Sequence, residues 1–231
     1  FLIKKLQEQN YYIPDLEHIV VSKEILDTFD VEKIDLIALL WQTGYLTFAG
    51  KIMKRDKLFY QLKLPNKEIQ SSLNELFINY LTSQTVDAIV YQDHLYDALI
   101  GDINALKTAL ISLFAAIPYN NYANKVIEKY EGYYASVVFT YLMSLGYPCI
   151  AEDVTQKGRI DLTIKLANRI VVIEFKVDQQ EQALAQIKQK KYYEKYIAEA
   201  KNKQHDLFIV GICFSSEEKN ITEFDWQKII L

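Results

Sequence analysis

The stretch from Gly158 to Val177 limits the fold more tightly than any other part of the chain. Apolar residues alternate from Ile160 to Leu166, a β-branched run follows from Ile170 to Ile173, and Ala167-Asn168 is a short polar break between them. That pattern is a β-hairpin. A two-residue turn sets Leu166 opposite Arg169 and Asp161 opposite Glu174, with Lys176 on the same face as Glu174. The other face then carries Ile160, Leu162, Ile164, Leu166, Val171, Ile173, Phe175 and Val177, all apolar. A slip of one residue would scramble this division, so the pattern supports the register. Like charges directly opposed across a ladder cost stability. Folding alone therefore gives no reason to set Asp161 against Glu174, whereas a divalent cation does.

Asp161, then twelve residues, then Glu174-Phe175-Lys176 resembles the D…(D/E)-x-K core of the PD-(D/E)xK nuclease superfamily, although Ile160 stands where that name has proline. Further stretches resemble one branch of it: Leu39 to Thr47, Leu64 to Ile69, Glu131-Gly132-Tyr133-Tyr134, the hairpin, and Gln186-Ile187. This branch is the predicted nuclease found C-terminal to an AAA-type ATPase-like domain in bacterial proteins. The resemblance implies an αβββαβ restriction-endonuclease-like core, DNA as the nucleic acid acted on, and an ATPase-like domain upstream. The chain begins at Phe1, not Met, so a longer protein is expected.

With 231 residues, one or two domains with a substantial core are expected. The net charge of −4 provides no global attraction for nucleic acid, yet between 157 and 203 there are 11 basic against 6 acidic residues. That local excess suits phosphate contacts; a solvated lysine-rich helix is the plain alternative. Cys149 and Cys213 lie in apolar strand-like contexts without metal-ligand spacing, which fits reduced, buried thiols in an intracellular protein, and a cytoplasmic location is expected. No apolar run is long enough to span a bilayer.

Along the chain, the spacing predicts a helix over 31–41 stopped by Gly44, strands over 45–49 and 58–64 joined by a basic loop, and a helix from an Asn66 cap through Leu81. This resembles a small winged-helix-like module. Residues 85–117 read as helical, and Pro118 with Asn120-Asn121 marks the expected boundary between a mostly helical connector domain, 1–118, and a nuclease-like domain, 119–231. The second half predicts a helix over 124–145, a strand over 149–154, the hairpin, a helix over 181–200, a strand over 207–214 and a polar tail. This is an α/β order that matches the αβββαβ core.

Phosphodiester hydrolysis needs an activated water and neutralisation of developing charge. Asp161 and Glu174, with the Phe175 carbonyl, form a hard oxygen set suited to Mg²⁺ or Mn²⁺. Lys176 is placed to orient or deprotonate water and to stabilise the transition state. Glu131 falls on the core stripe of its helix and, by the resemblance, completes the acidic cluster; Gln186 on the helix after the hairpin is a further catalytic candidate. Lys157, Arg159 and Lys190 are candidate nucleic-acid contacts. A surface cluster of compensating charges is the plain alternative for the hairpin residues. Two other functions compete: a catalytically silent nuclease-fold module that binds nucleic acid or a partner protein, and a docking role for the N-terminal half. The isolated His18, His94 and His205 lack zinc spacing, and serine-hydrolase and zinc-protease motifs do not occur.

Overall fold

The computed structural model describes residue 16 and residues 19–27, 35–82, 88–118, 131–179 and 182–231, with 88 and 89 described by backbone only. The chain divides into two compact units, Phe1–Leu76 and Phe77–Leu231.

In the first unit, β1 (Ile19–Ser22) and α1 (Lys23–Asp27) precede α2 (Leu36–Gln42), and β2 (Thr47–Lys54) and β3 (Lys57–Lys63) lead into α3 (Lys67–Thr82), a helix that contains the division between units. The strands form an antiparallel sheet in the order β1-β3-β2. Local chemistry accounts for the boundaries. The Asp35 carboxylate accepts from the amides of Ile37 and Ala38 to cap α2, and the Asn66 side chain accepts from Ile69 N at 2.9 Å to cap α3. The basic loop expected over 50–57 is instead ladder closed by a two-residue turn. Arg55 and Asp56 take left-handed conformations, φ 49° and 60°, and Lys54 pairs with Lys57.

The second unit is mixed α/β. Helices α4 (Ala88–Ile100), α5 (Ile103–Ala115) and α6 (Glu131–Ser144) precede β4 (Cys149–Thr155), β5 (Gly158–Lys165) and β6 (Arg169–Val177). Then come α7 (Gln182–Lys190), α8 (Glu194–Lys203), β7 (Asp206–Ser215) and β8 (Asn220–Ile229). The five strands form one sheet in the order β4-β5-β6-β7-β8, antiparallel except for the parallel β6–β7 pair. The long helical stretches expected at 85–117 and 181–200 are each broken in two. The first restarts where the Asp102 side chain caps Asn104 N at 3.1 Å; the second turns at Lys191, which has φ 52°. β8 replaces the expected polar tail: Ile221 and Phe224 are buried, while its outward edge is polar.

The division at Leu76/Phe77 differs from the boundary expected at 118. The reason lies in α4 and α5, which are tied to the second unit. Asn220 donates to the Ile111 carbonyl at 3.2 Å, Trp226 Nε1 to Asn104 at 2.9 Å and Arg169 to the Gly101 carbonyl at 2.8 Å.

β6 is buried on both faces from Ile170 to Lys176, as a central strand flanked by helices must be. On one side Phe214 stacks on Tyr134 of α6, with ring centroids 4.2 Å apart, and contacts Phe114 of α5 at 4.9 Å and Phe175 at 6.2 Å. On the other, Ile170, Val172, Leu207 and Ile209 pack against Ile187 of α7 and Tyr196 and Ala200 of α8. Phe214→Ala empties the middle of the aromatic layer and should cost about 3–5 kcal/mol, read as a lowered urea midpoint at unchanged slope. A loss below about 1 kcal/mol would mean that this layer is not the packed centre of the unit.

Candidate functional site

The hairpin register is the one the sequence pattern requires: Leu162 pairs with Ile173, Thr163 with Val172, Ile164 with Val171 and Lys165 with Ile170. The ladder stops one step before Asp161 would meet Glu174. There the Asp161 carboxylate itself accepts from Phe175 N, at 2.8 Å. On its other side β5 is also open: Ala151 pairs with Leu162 and Asp153 with Ile160, while Glu152 between them takes φ 51°. Asp161 therefore sits where β5 comes away from both neighbours. Ile160 lies not in the layer expected from strict alternation but in the cluster of Ile170, Val172 and Ile187.

Side chains from both helical layers converge on this fork. Lys176 Nζ lies 3.2 Å from Glu174 Oε1, 3.4 Å from Glu131 Oε1 at the start of α6, and 2.8 Å from the Phe175 carbonyl. From α7, Gln186 Nε2 donates to the same Glu174 Oε1. Glu174 is only 1% exposed, and its other oxygen, Oε2, is buried without a hydrogen-bond partner among the described residues. Asp161, Glu174, Lys176, Glu131, Gln186 and the Phe175 carbonyl are thus brought together in one place.

The electrostatics follow from burial. Desolvation pushes Glu174 well above the ordinary carboxylate range, the Asp161 charge adds to this, and Lys176 only partly opposes it. Burial likewise raises Asp161, against the pull of the Phe175 N–H and Lys176, and raises Glu131 against Lys176. For Lys176, burial pulls the ammonium down, but Glu174, Glu131 and Asp161 outweigh it and hold it above its usual value. One ammonium thus serves three carboxylates. Among the described residues no three His, Cys, Asp or Glu side chains lie close enough together to enclose a metal ion; Lys176 Nζ occupies the space between Glu131 and Glu174.

The expected basic contacts lie along β5 and across from it. Lys157, in the β4–β5 turn, pairs with Glu194 at 3.0 Å, and Arg159 pairs with Glu152. Lys157 and Lys190 line one cleft of about 340 Å³ with Lys191, Tyr192 and Lys195. Sequence reasoning missed Asp153. This side chain is 4% exposed, accepts from Thr163 Oγ1 at 3.0 Å, and is held by Lys195 and Tyr196. Its donors come from β5 and α8, and it pairs with buried Ile160 across the ladder, so its burial depends on contacts that no local sequence pattern marks.

Residues 129–224, which include every member of the converging cluster, match the model of the PD-(D/E)XK nuclease superfamily. The chain is also 34% identical over 228 residues to a protein of Azotobacter chroococcum mcd 1 named "Uncharacterized protein in vnfD 5'region". That match covers 97% of this chain and 43% of the relative, so the chain spans less than half of the relative's length. No solved structure matches the chain. The region is thus similar to a superfamily whose members are in general hydrolytic nucleases.

A carboxylate whose folded pKa is raised withdraws stability as pH climbs from its unfolded value, about 4, through the folded one. In Asp161→Asn the side-chain oxygen can still accept the Phe175 N–H, while its repulsion of Glu174 is removed. In chelator at pH 7 the variant should melt above wild type, by roughly 2–4 °C for each ~1 kcal/mol gained, and the gap should close below about pH 4. A variant that melts lower at neutral pH would contradict the mutual repulsion.

Proposed function

We propose that residues 119–231 form a metal-dependent nuclease domain that hydrolyses phosphodiester bonds of DNA. The observation that carries this reading is the buried, unpartnered Glu174 Oε2 beside Asp161, in a fork with too few cations for its carboxylates. A hard cation with oxygen ligands fits that donor set, since Mg²⁺ needs only one or two carboxylates and retains several waters. Asp161, Glu174 and the Phe175 carbonyl would hold Mg²⁺ or Mn²⁺; Glu131, separated from Glu174 by Lys176 Nζ, would join the set through a retained water. When bound, the ion lowers the pKa of a coordinated water and neutralises charge on the phosphate.

The chain's own groups do the rest. Lys176, held above its ordinary pKa, is an ammonium at neutral pH. It therefore donates to a phosphate oxygen in the transition state and does not take the proton from water. Gln186 fixes the Glu174 carboxylate by donating to Oε1, leaving Oε2 for the ligand role. Glu131, with a side chain 38% exposed, is the most open of the three acids and is placed to hold the attacking water. Lys157, Arg159 and Lys190 hold backbone phosphates further along the bound strand.

In the first unit, the order strand–helix–helix–strand–strand–helix and the closed hairpin turn support a winged-helix-like module. We assign residues 1–118 a connecting role and not a DNA-binding one, because they hold 15 acidic against 11 basic side chains. An ATPase-like domain upstream in the full protein rests on the sequence resemblance. Neither Cys149 nor Cys213 forms a disulfide, and no described helix is long and apolar enough to cross a membrane. A cytoplasmic site is consistent with the buried thiols.

Single- and double-stranded DNA and RNA incubated with Mg²⁺ or Mn²⁺ test the activity. Wild type should cleave DNA, and Asp161→Asn, Glu174→Gln and Lys176→Ala should each lose about 100-fold or more. Equal cleavage by all four proteins would remove the assignment. Binding supplies a second check: affinity for DNA should fall steeply with salt. Reversing Lys157 and Lys190 should weaken it more than reversing Lys51, Lys54 and Arg55. If the β2–β3 turn residues dominate instead, the first unit is the binding module.

A further inference from the structure

Gly211 carries no chemistry, yet it lies directly beside Glu174 in the parallel β6–β7 ladder. Neighbours in register project to the same face of a sheet, so a side chain at 211 would point where Glu174 points, toward α7. There is no room for one. A Cβ on Gly211 would fall 2.2 Å from Leu184 N and 2.8 Å from Leu184 Cα and Cβ. Two of those three atoms are helix backbone, which cannot rotate away. Reaching ordinary van der Waals separation requires α7 to move away from the sheet by about 1 Å or more.

Gln186, whose amide donates to Glu174 Oε1, stands two residues after Leu184 on the same short helix. Ala183 and Ile187, 1% and 0% exposed, seat that helix on the sheet. We propose that Gly211 is a positioning residue for the carboxylate fork. Its missing side chain lets α7 descend far enough for Gln186 to reach Glu174, which fixes one carboxylate oxygen and leaves the other free. This role rests on the proposed reading of the fork as a catalytic centre, but the contact it sets does not need a metal or a substrate to be observed.

The test is the ¹H–¹⁵N spectrum of the metal-free 231-residue chain, in which the Gln186 side-chain amide is assigned by its loss in Gln186→Ala. In wild type this signal should stand apart from solvent-exposed glutamine amides and should move on Glu174→Gln. In Gly211→Ala it should move to the solvent-exposed position, after which Glu174→Gln should shift it no further. Ile187→Val, which only trims the seat of the same helix, should leave it in place. If Gly211→Ala does not fold, Ala183→Val opens the same contact from the helix side and should displace the amide in the same way. A folded Gly211→Ala or Ala183→Val with the Gln186 amide at its wild-type position would overturn the proposal. In cleavage assays Gly211→Ala should lose rate to the same extent as Gln186→Ala, on the order of 10²-fold for a misplacement of this size, with KM for DNA unchanged. A wild-type chain that cleaves nothing would defeat the nuclease reading, and the spectrum would still decide the role of Gly211.

Discussion

The single hydrogen bond from Phe175 N to the Asp161 carboxylate organises the second unit. It replaces a rung of the β5–β6 ladder with a side chain, so the central strands separate where their charged residues lie. An unbroken ladder would have pressed two carboxylates together at the closest cross-strand distance, with Lys176 on a closed face. Separation instead creates a cleft that both helical layers can reach: Glu131 enters from α6, Gln186 from α7. The irregularity at Glu152, on the far side of β5, belongs to the same opening.

A cleft of this kind is held against the forces that stabilise its surroundings. The strands around it are buried on both faces, and Glu174 and Lys176 are among the few charged side chains in that interior. Burial of a charge is costly unless it is paired. Lys176 pairs with Glu131 and Glu174, leaving Glu174 Oε2 unsatisfied and the carboxylates raised in pKa. The compensation comes from the aromatic layer around Phe214 and the aliphatic layer around Ile187, which pack whatever the charge state of the fork. Asp153, by contrast, is a buried acid whose hydrogen bonds are satisfied: donors from Thr163, Lys195 and Tyr196 reach both its oxygens.

Much of this was legible in the sequence because the hairpin is local. Its alternation and two-residue break determine which residues face which, and the observed pairs from Leu162–Ile173 to Lys165–Ile170 follow that pattern. Asn66 was readable as a cap because capping depends on neighbours three residues away. What could not be read depends on residues distant in sequence. β8 is disguised because its alternation is weak on a polar edge and a register shift at Cys213/Phe214 offsets its buried positions. The placement of Ile160 in the other layer accompanies the Asp161–Phe175 bond, a contact that strand alternation does not announce. The unit division at Leu76/Phe77 follows from contacts made by α4 and α5 far along the chain, which no local signal announces. Gly211 is one glycine in an apolar strand until α7 is seen against it.

The proposed cation site at Asp161 and Glu174 has a direct physical readout. Calorimetric titration of the chelator-treated chain with Mn²⁺ tests it without any assumption about substrate. Wild type should bind one tight equivalent, with protons released as the raised carboxylates ionise, and Asp161→Asn and Glu174→Gln should each abolish that binding. A wild-type chain that takes up no Mn²⁺, or variants that bind it as tightly as wild type, would rule out a cation site at this fork.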